Sequence, residues 1–429
     1  MLLAAACSTA HYPINPLLGA DPGASGYTLR HLDASANSDG LTVVMTISGG
    51  GYRAAALGYA VMEALQQVSF DWHGQTRTLF QEMDFISAVS GGSITAAYYA
   101  MDPPGFFTNF RSHVLDLDLQ GSLLAKALSP RSLWLQTSRR FGRGDLLEEV
   151  LAEKIFSNVT FGELSRRRPM VYINATDMRS GHRFEFSQDQ FDHLCSDLNR
   201  FPVARAVAAS MAVPLLMSPV TLWNHRHHCA VPIQPLDLPG MSARGDYIHL
   251  VDGGLSDNTG IRGALDHMSD RGRLLHNNRV SGFRGTRKSV FVVVDAHTEP
   301  AYPDDDSPET PGLWAQLRSA VDVPINRYSE SSLSRLEQSI TNWKAQWPST
   351  QTQAQDFHVI AVSLMAARSG DAGAVRNIAT GLRITAAEIE TIRQFARSEL
   401  AANPAWQRLL AELRAPLRAD APSPEPGSF

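Results

Sequence analysis

The sequence predicts an α/β fold, one large layered domain in which buried strands alternate with helices, and three observations carry that prediction. Apolar, β-branched runs at Leu41–Ile47, Met83–Val89 and Ser289 to Asp295 read as strands buried on both faces. The first two run through a glycine-dense turn into a small-residue helix, the unit from which layered α/β domains are built. The chain's 429 residues, 44% of them hydrophobic, suffice to bury one large core around such a sheet.

The first turn is Ser48-Gly49-Gly50-Gly51-Tyr52-Arg53, followed by an Ala/Leu-rich helix from Ala54 to Leu65. A helix N-terminus behind three glycines leaves amide N–H groups without intrahelical acceptors, at the positive end of the helix dipole. Such a turn binds an anion, either a phosphate or the oxyanion of a tetrahedral acyl intermediate. A P-loop is excluded because no Gly-Lys-Ser/Thr follows, and a dinucleotide fingerprint because the glycine spacing differs. A tight turn with no ligand is the competing reading of this segment alone. Arg53 is expected to hold a phosphate head group or to steady the oxyanion.

In the second turn, Ala88-Val89-Ser90-Gly91-Gly92 has the small neighbours that a nucleophile elbow needs, since the serine backbone is strained and the next helix passes close. The usual Gly-x-Ser-x-Gly carries alanine at its first position here. Ser87 falls within the strand and Ser93 within the first helical turn, which leaves Ser90 at the corner. An ordinary helix N-cap is the alternative role for it.

The third turn follows a strand from Tyr247 to Val251, with Asp252-Gly253-Gly254 at its carboxyl end and a helix from about Ile261. A carboxylate placed there can face a site outside the sheet. To serve as a base it must be partly desolvated, accepting the serine proton only as attack proceeds. A helix cap or salt-bridge partner is the alternative for Asp252, and Asp257 and Asn258 read as turn-formers.

Together these blocks resemble the patatin-like phospholipases and their relatives in the cytosolic phospholipase A group. The likeness rests on Gly49-Gly50-Gly51-Tyr52-Arg53, the Ser90 elbow, Asp252-Gly253-Gly254 and a fourth block, Ala204-Arg205-Ala206-Val207-Ala208-Ala209-Ser210-Met211-Ala212-Val213-Pro214. The four stand in the family's order and span roughly residues 40 to 300. The resemblance implies a three-layer sandwich with a central, mostly parallel sheet, a serine nucleophile elbow and a helical insertion. It implies Ser90 as nucleophile, Asp252 as base and an oxyanion hole from Gly49, Gly50, Gly51 and Gly91. Gly92, Gly253 and Gly254 would support the turns, and Arg53 matches the basic position of the glycine motif.

The implied activity is hydrolysis of glycerolipid acyl esters, of phospholipase A or lysophospholipase type, by a Ser–Asp dyad and an acyl-enzyme. It requires no metal or organic cofactor and takes a phospholipid or lysolipid substrate at a membrane surface. The alternatives are an acyltransferase using the same dyad and a non-catalytic lipid-binding lipoprotein scaffold that retains the fold.

Met1-Leu2-Leu3-Ala4-Ala5-Ala6-Cys7-Ser8 looks like the tail of a bacterial lipoprotein signal, with Cys7 at the lipidation position but without the charged start. Residues 1–38 are therefore expected to be a truncated signal and a Pro/Gly/Ala/Ser-rich tether. The expected location is the periplasm or outer membrane as a lipid-anchored protein, with the cytoplasm as the alternative. In an oxidising compartment Cys195 and Cys229 can pair; two buried thiols are the other reading. No run reaches the ~18 apolar residues of a membrane span. A net charge of −5 without a basic stripe gives nucleic acid no footprint.

Residues 39–300 are expected to form the catalytic domain. Its leucine-rich helical insertion, about 102–167, reads either as a lid or acyl-chain cap or as an extra packed layer. Further strands are expected at Met170 to Ala175 and Phe184 to Phe186. His225-Arg226-His227-His228-Cys229 reads as an exposed polar loop rather than a metal site, and His297 as a surface turn residue rather than a third catalytic group. Residues 301–414 are expected to continue the same α/β domain, with helices over Leu313 to Lys344 and Ala386 to Leu413 and a strand from Phe357 to Leu364. Residues 415–429 are expected to be a disordered tail.

Overall fold

The computed structural model describes residues 9–19, 26–29, 37, 40–72, 74–164, 166–229, 245–268, 288–298, 308, 310–346, 356–368 and 372–414. Cys7 and the tail at 415–429 lie outside the described residues. The strands are β1 (Leu41–Ile47), β2 (Ser69–Trp72), β3 (Gln75–Thr78), β4 (Met83–Val89), β5 (Met170–Asp177), β6 (Arg183–Glu185), β7 (Val220–Trp223), β8 (Tyr247–Asp252), β9 (Lys288–Asp295) and β10 (Asp356–Ser363). Eight of them form one sheet in the order β10-β9-β1-β4-β5-β8-β7, with β6 paired to β5. Helices cover both sides of this sheet.

The sheet is parallel from β10 through β5 and antiparallel where β5 meets β6 and β8, and β8 meets β7. Every residue of β1 and β4 is buried, as their unbroken apolar runs require of strands covered on both faces. Register then levels the strand ends. Ile47 lies opposite Ala88 on β4 and Val294 on β9, so the glycine turn and the Ser90 turn emerge side by side. Val89 lies opposite Asn174 and Asp252 opposite Ala175, so β5 brings the ends of β4 and β8 within one residue of each other. From the two turns run helices α1 (Gly51–Gln67) and α2 (Gly91–Met101), which pack on one another.

Two sequence expectations change. The described parts of the expected tether are docked: Asn15 is buried and donates to Ser196 Oγ at 2.8 Å, and Tyr27, also buried, donates to the Val171 carbonyl at 3.1 Å. Tyr27 has a ring to bury and a hydroxyl that finds a strand carbonyl, which composition alone hides. The helix expected over Ala386 to Leu413 is two, Ala386–Ala402 and Pro404–Arg414. Pro404 has no N–H to continue the first, and its ring suits the first turn of the second. The β2–β3 hairpin and β7 were not expected; the short hairpin turns at Gly74, whose φ is +80°.

The insertion divides into a packed part and an exposed part. Phe106 and Phe110 stack against Tyr59 beneath it, and Phe106 also meets Phe80 and Tyr99. Its helix Arg143–Leu151 is held by Arg205, whose buried guanidinium meets Asp145 at 3.2 Å, Glu148, and the Thr221 carbonyl at 2.9 Å. Cys195 and Cys229 form a disulfide spanning 34 positions. His225–His228 form a turn of 3-10 helix, and no group of three or more metal-ligand side chains occurs among the described residues. No described helix is long and apolar enough to cross a membrane.

Candidate active site

Ser90 stands between β4 and α2 with φ 50° and ψ −126°, a backbone conformation that is costly for a residue with a Cβ. The strain is held by neighbours. Its amide donates to Ser210 Oγ at 2.7 Å, and that hydroxyl donates to the Asn174 carbonyl at 2.6 Å. The bend turns the Ser90 hydroxyl out of the sheet, where it donates to Asp252 Oδ2 at 2.7 Å. Ser87 instead lies in the strand and receives Asn174 Nδ2 at 3.0 Å, while Ser93 bonds back to the Ser90 carbonyl. Of the three hydroxyls, Ser90's alone meets the carboxylate.

Asp252 is 3% exposed. Oδ1 accepts the Gly254 amide at 2.8 Å, leaving Oδ2 for the serine. Thr176 Oγ1 fixes the aspartate's main chain through a 2.8 Å bond to its carbonyl. Burial pushes the carboxyl up to about 6, against the opposing hydrogen bonds from Gly254 and Ser90. Burial thus makes it more basic than a solvated aspartate. His297 places its backbone amide on Asp295 Oδ1 at 3.1 Å, and no imidazole stands between Ser90 and Asp252, which bond directly.

The glycine turn abuts this pair. A Cβ on Gly91 would lie 2.1 Å from the Gly51 carbonyl oxygen, so the two turns touch main chain to main chain. Gly51 has φ +60°, and a Cβ there would meet the Gly381 carbonyl oxygen at 2.4 Å. Gly92 and Gly253 likewise face backbone, the Ser48 and Asn174 carbonyls. Among the described residues no acceptor takes the amide protons of Gly50, Gly51 or Gly91, as expected of residues that precede or begin a helix.

Two candidate residues have other duties. The Gly49 amide donates to the Asn258 carbonyl at 3.0 Å, so it is committed to the fold and is not a donor toward an oxyanion. Arg53 is turned back into the fold. The residue is 3% exposed, and its guanidinium donates to the Ala296 carbonyl at 3.1 Å, to Thr298 Oγ1 at 3.0 Å and to the Ile378 carbonyl. Burial pulls it down to about 10, with the Asp295 charge opposing. A guanidinium one turn into a helix can reach outward or backward, and here three acceptors behind the turn claim it. Ser210 and Asn174, which hold the elbow, carried no role in the sequence reading; the signal was a buried serine closing an alanine-rich helix, Val203–Ser210.

A family model described as patatin-like phospholipase matches residues 45–265, just over half of the chain. No curated protein sequence gave a match. Among solved structures, human GIVD cytosolic phospholipase A2 aligns with TM-score 0.43 and 12% identity, over 87% of this chain and 60% of that one. The same human protein in complex with methyl gamma-linolenyl fluorophosphonate aligns with TM-score 0.41 and 14% identity, over 90% and 60%. VipD from Legionella pneumophila gives 0.32 and 12%, over 95% and 72%. The chain thus spans 60% of the length of the human structures it matches. The family model takes in the serine elbow and the Asp252 turn as well as the glycine triplet, and the chain belongs to the patatin-like phospholipase family.

Proposed function

We propose that the chain is a lipid acyl hydrolase of phospholipase A or lysophospholipase type, acting through Ser90 and Asp252. The observation that carries this reading is the 2.7 Å bond from the Ser90 hydroxyl to a desolvated carboxylate. As Oγ attacks the ester carbonyl carbon, its proton passes to Asp252 Oδ2, and the carbonyl oxygen gathers negative charge facing the amides of Gly50, Gly51 and Gly91. One such donor is worth roughly a hundred- to a thousand-fold in rate in other hydrolases. The intermediate collapses by breaking the bond to the alcohol oxygen, which takes the proton back from Asp252. Water then attacks the acyl-enzyme, giving its proton to Asp252, and the fatty acid leaves as Ser90 is reprotonated. Family membership and the uncommitted amides support this order of events.

A fluorophosphonate probe on the folded chain tests the reading. One covalent adduct at Ser90, abolished by Ser90→Ala and by Asp252→Asn, is expected; a folded chain that takes no label overturns it in favour of a lipid-binding scaffold. Product analysis on phospholipid, lysophospholipid and neutral ester then separates hydrolysis from acyl transfer. The proposed location is an oxidising compartment, a reading supported by the Cys195–Cys229 pair and tested by thiol counting on protein from intact cells. Lipidation of Cys7 is part of the same proposal, and a diacylglyceryl mass on its peptide is the expected result.

A further inference from the structure

The exposed part of the insertion bears an unusual face. Leu124, Leu128, Leu133 and Trp134 are 60%, 63%, 53% and 53% exposed, all within two short helices, Leu119–Ala127 and Pro130–Leu135, and the residues joining them. Gln136 ties the second helix to the first by donating to the Ala127 carbonyl at 3.1 Å. Large side chains clustered in this way leave an apolar surface that a monomer in water does not need. The stretch that bears it is basic, although Glu149 and Glu153 reach Lys126 and Arg131 from further along the insertion. From Leu119 to Gly144 the chain carries Lys126, Arg131, Arg139, Arg140 and Arg143 and no aspartate or glutamate, in a protein whose net charge is −5.

A cavity of about 420 Å³ beside these helices is lined by Lys126, Arg131 and Lys154, by Glu153, and by the hydroxyls of Ser122, Ser129 and Ser132. Glu149 and Glu153 reach these cations, Lys126 at 3.1 and 3.3 Å and Arg131 at 3.1 Å, while Arg139, Arg140 and Arg143 lie exposed beyond them. The helix Leu119–Ala127 is tied at its first turn to the segment behind the glycine turn. The Gln120 amide donates to the Leu382 carbonyl at 3.1 Å, and the preceding residue, Gly381, accepts the Tyr52 amide beside the glycine turn at 2.8 Å. At its far end Arg143 donates to the carbonyl of Leu215, next to Leu216, itself 64% exposed.

We infer that this face, Leu124, Leu128, Leu133 and Trp134 with the basic residues around them, docks the protein on the surface of an anionic phospholipid bilayer. Leucines and a tryptophan enter the boundary between head groups and acyl chains, and lysine and arginine are drawn to the negative surface. Two copies joined through this same face would set Arg139, Arg140 and Arg143 against their own counterparts, whereas an anionic bilayer complements them. The inference gives the proposed lipid reading its setting, but binding is measured without turnover, so either can fail alone.

The test is co-sedimentation of the full chain, carrying Cys7→Ser to remove any anchor and Ser90→Ala to keep lipid intact. The vesicles are phosphatidylcholine alone or with one-third phosphatidylglycerol. Tight binding to the anionic vesicles alone is expected, weakened about tenfold or more by combined Leu124→Gln, Leu128→Gln, Leu133→Gln and Trp134→Gln, and weakened by salt. Arg139→Gln with Arg140→Gln lowers binding with the apolar face intact. With Ser90 restored, the fourfold variant keeps the melting temperature and any turnover of a water-soluble short-chain ester. Equal sedimentation of the fourfold variant, equal binding to neutral vesicles, or a change in self-association alone overturns the inference.

Discussion

The Ser210 hydroxyl sits between two main chains, accepting the Ser90 amide at 2.7 Å and donating to the Asn174 carbonyl at 2.6 Å. It couples the elbow of β4 to the end of β5, and through Ala175 to Asp252. Ser210→Ala leaves a buried amide unpaired and lets the elbow relax, so it is a positioning change. Its expected effect is a fall in kcat/KM and in fluorophosphonate labelling rate of about tenfold with KM nearly constant. An equal loss in KM would assign Ser210 to substrate binding instead.

The pH dependence follows from Asp252. The working form is the carboxylate, whose acid is held near 6 by burial. Activity is expected to climb with a one-proton slope through about pH 6 and to level above it. Asp252→Asn abolishes it, a loss of about 10³-fold or more.

The sign for stability is opposite. A carboxyl whose folded value exceeds its unfolded one binds more protons when folded, so its ionisation costs stability as pH rises from about 4 to about 6. Asp252→Asn is therefore expected to melt higher than the parent at pH 8 and level with it at pH 4. The difference is at most roughly 3 kcal/mol. Urea melts at the two pH values check it.

Arg53→Met is expected to act on the fold rather than on head-group choice. It strips donors from the Ala296 and Ile378 carbonyls and from Thr298, in a site closed to water. A loss of roughly 2–4 kcal/mol in urea unfolding is expected. The ratio of rates on anionic and zwitterionic esters is expected to stay unchanged.

The Cys195–Cys229 bond closes a loop of 34 positions that contains the helix ending at Ser210. Replacing both cysteines by serine is expected to cost about 3–4 kcal/mol and to leave the pH profile of the surviving activity in place. Thermal melts with and without reductant measure the first.

What the sequence revealed was what one stretch of chain decides by itself. β1 and β4 were readable to the residue because a buried parallel strand needs an unbroken apolar run, and the glycines after each mark the turn. The positions of Ser90 and Asp252 at strand ends were readable for the same reason. The fates of Gly49 and Arg53 were not, since Asn258, Ala296, Thr298 and Ile378 decide them from far along the chain. The β2–β3 hairpin was hidden by polar residues on a four-residue strand. The docking of residues 9–19 onto Ser196 and Trp223 was hidden by a composition that suits a tether equally well.

The back of the glycine turn is closed by β9, Thr298, Ile378 and Gly381, all synthesised after the span that the family model recognises. A ribosome that has delivered Ser90, Asp252 and the three glycines has not yet delivered what closes the turn behind them. On the proposed chemistry, a chain released at residue 265 is expected to leave esters uncut. Closure behind the glycines waits for Gly381, more than 300 residues further along.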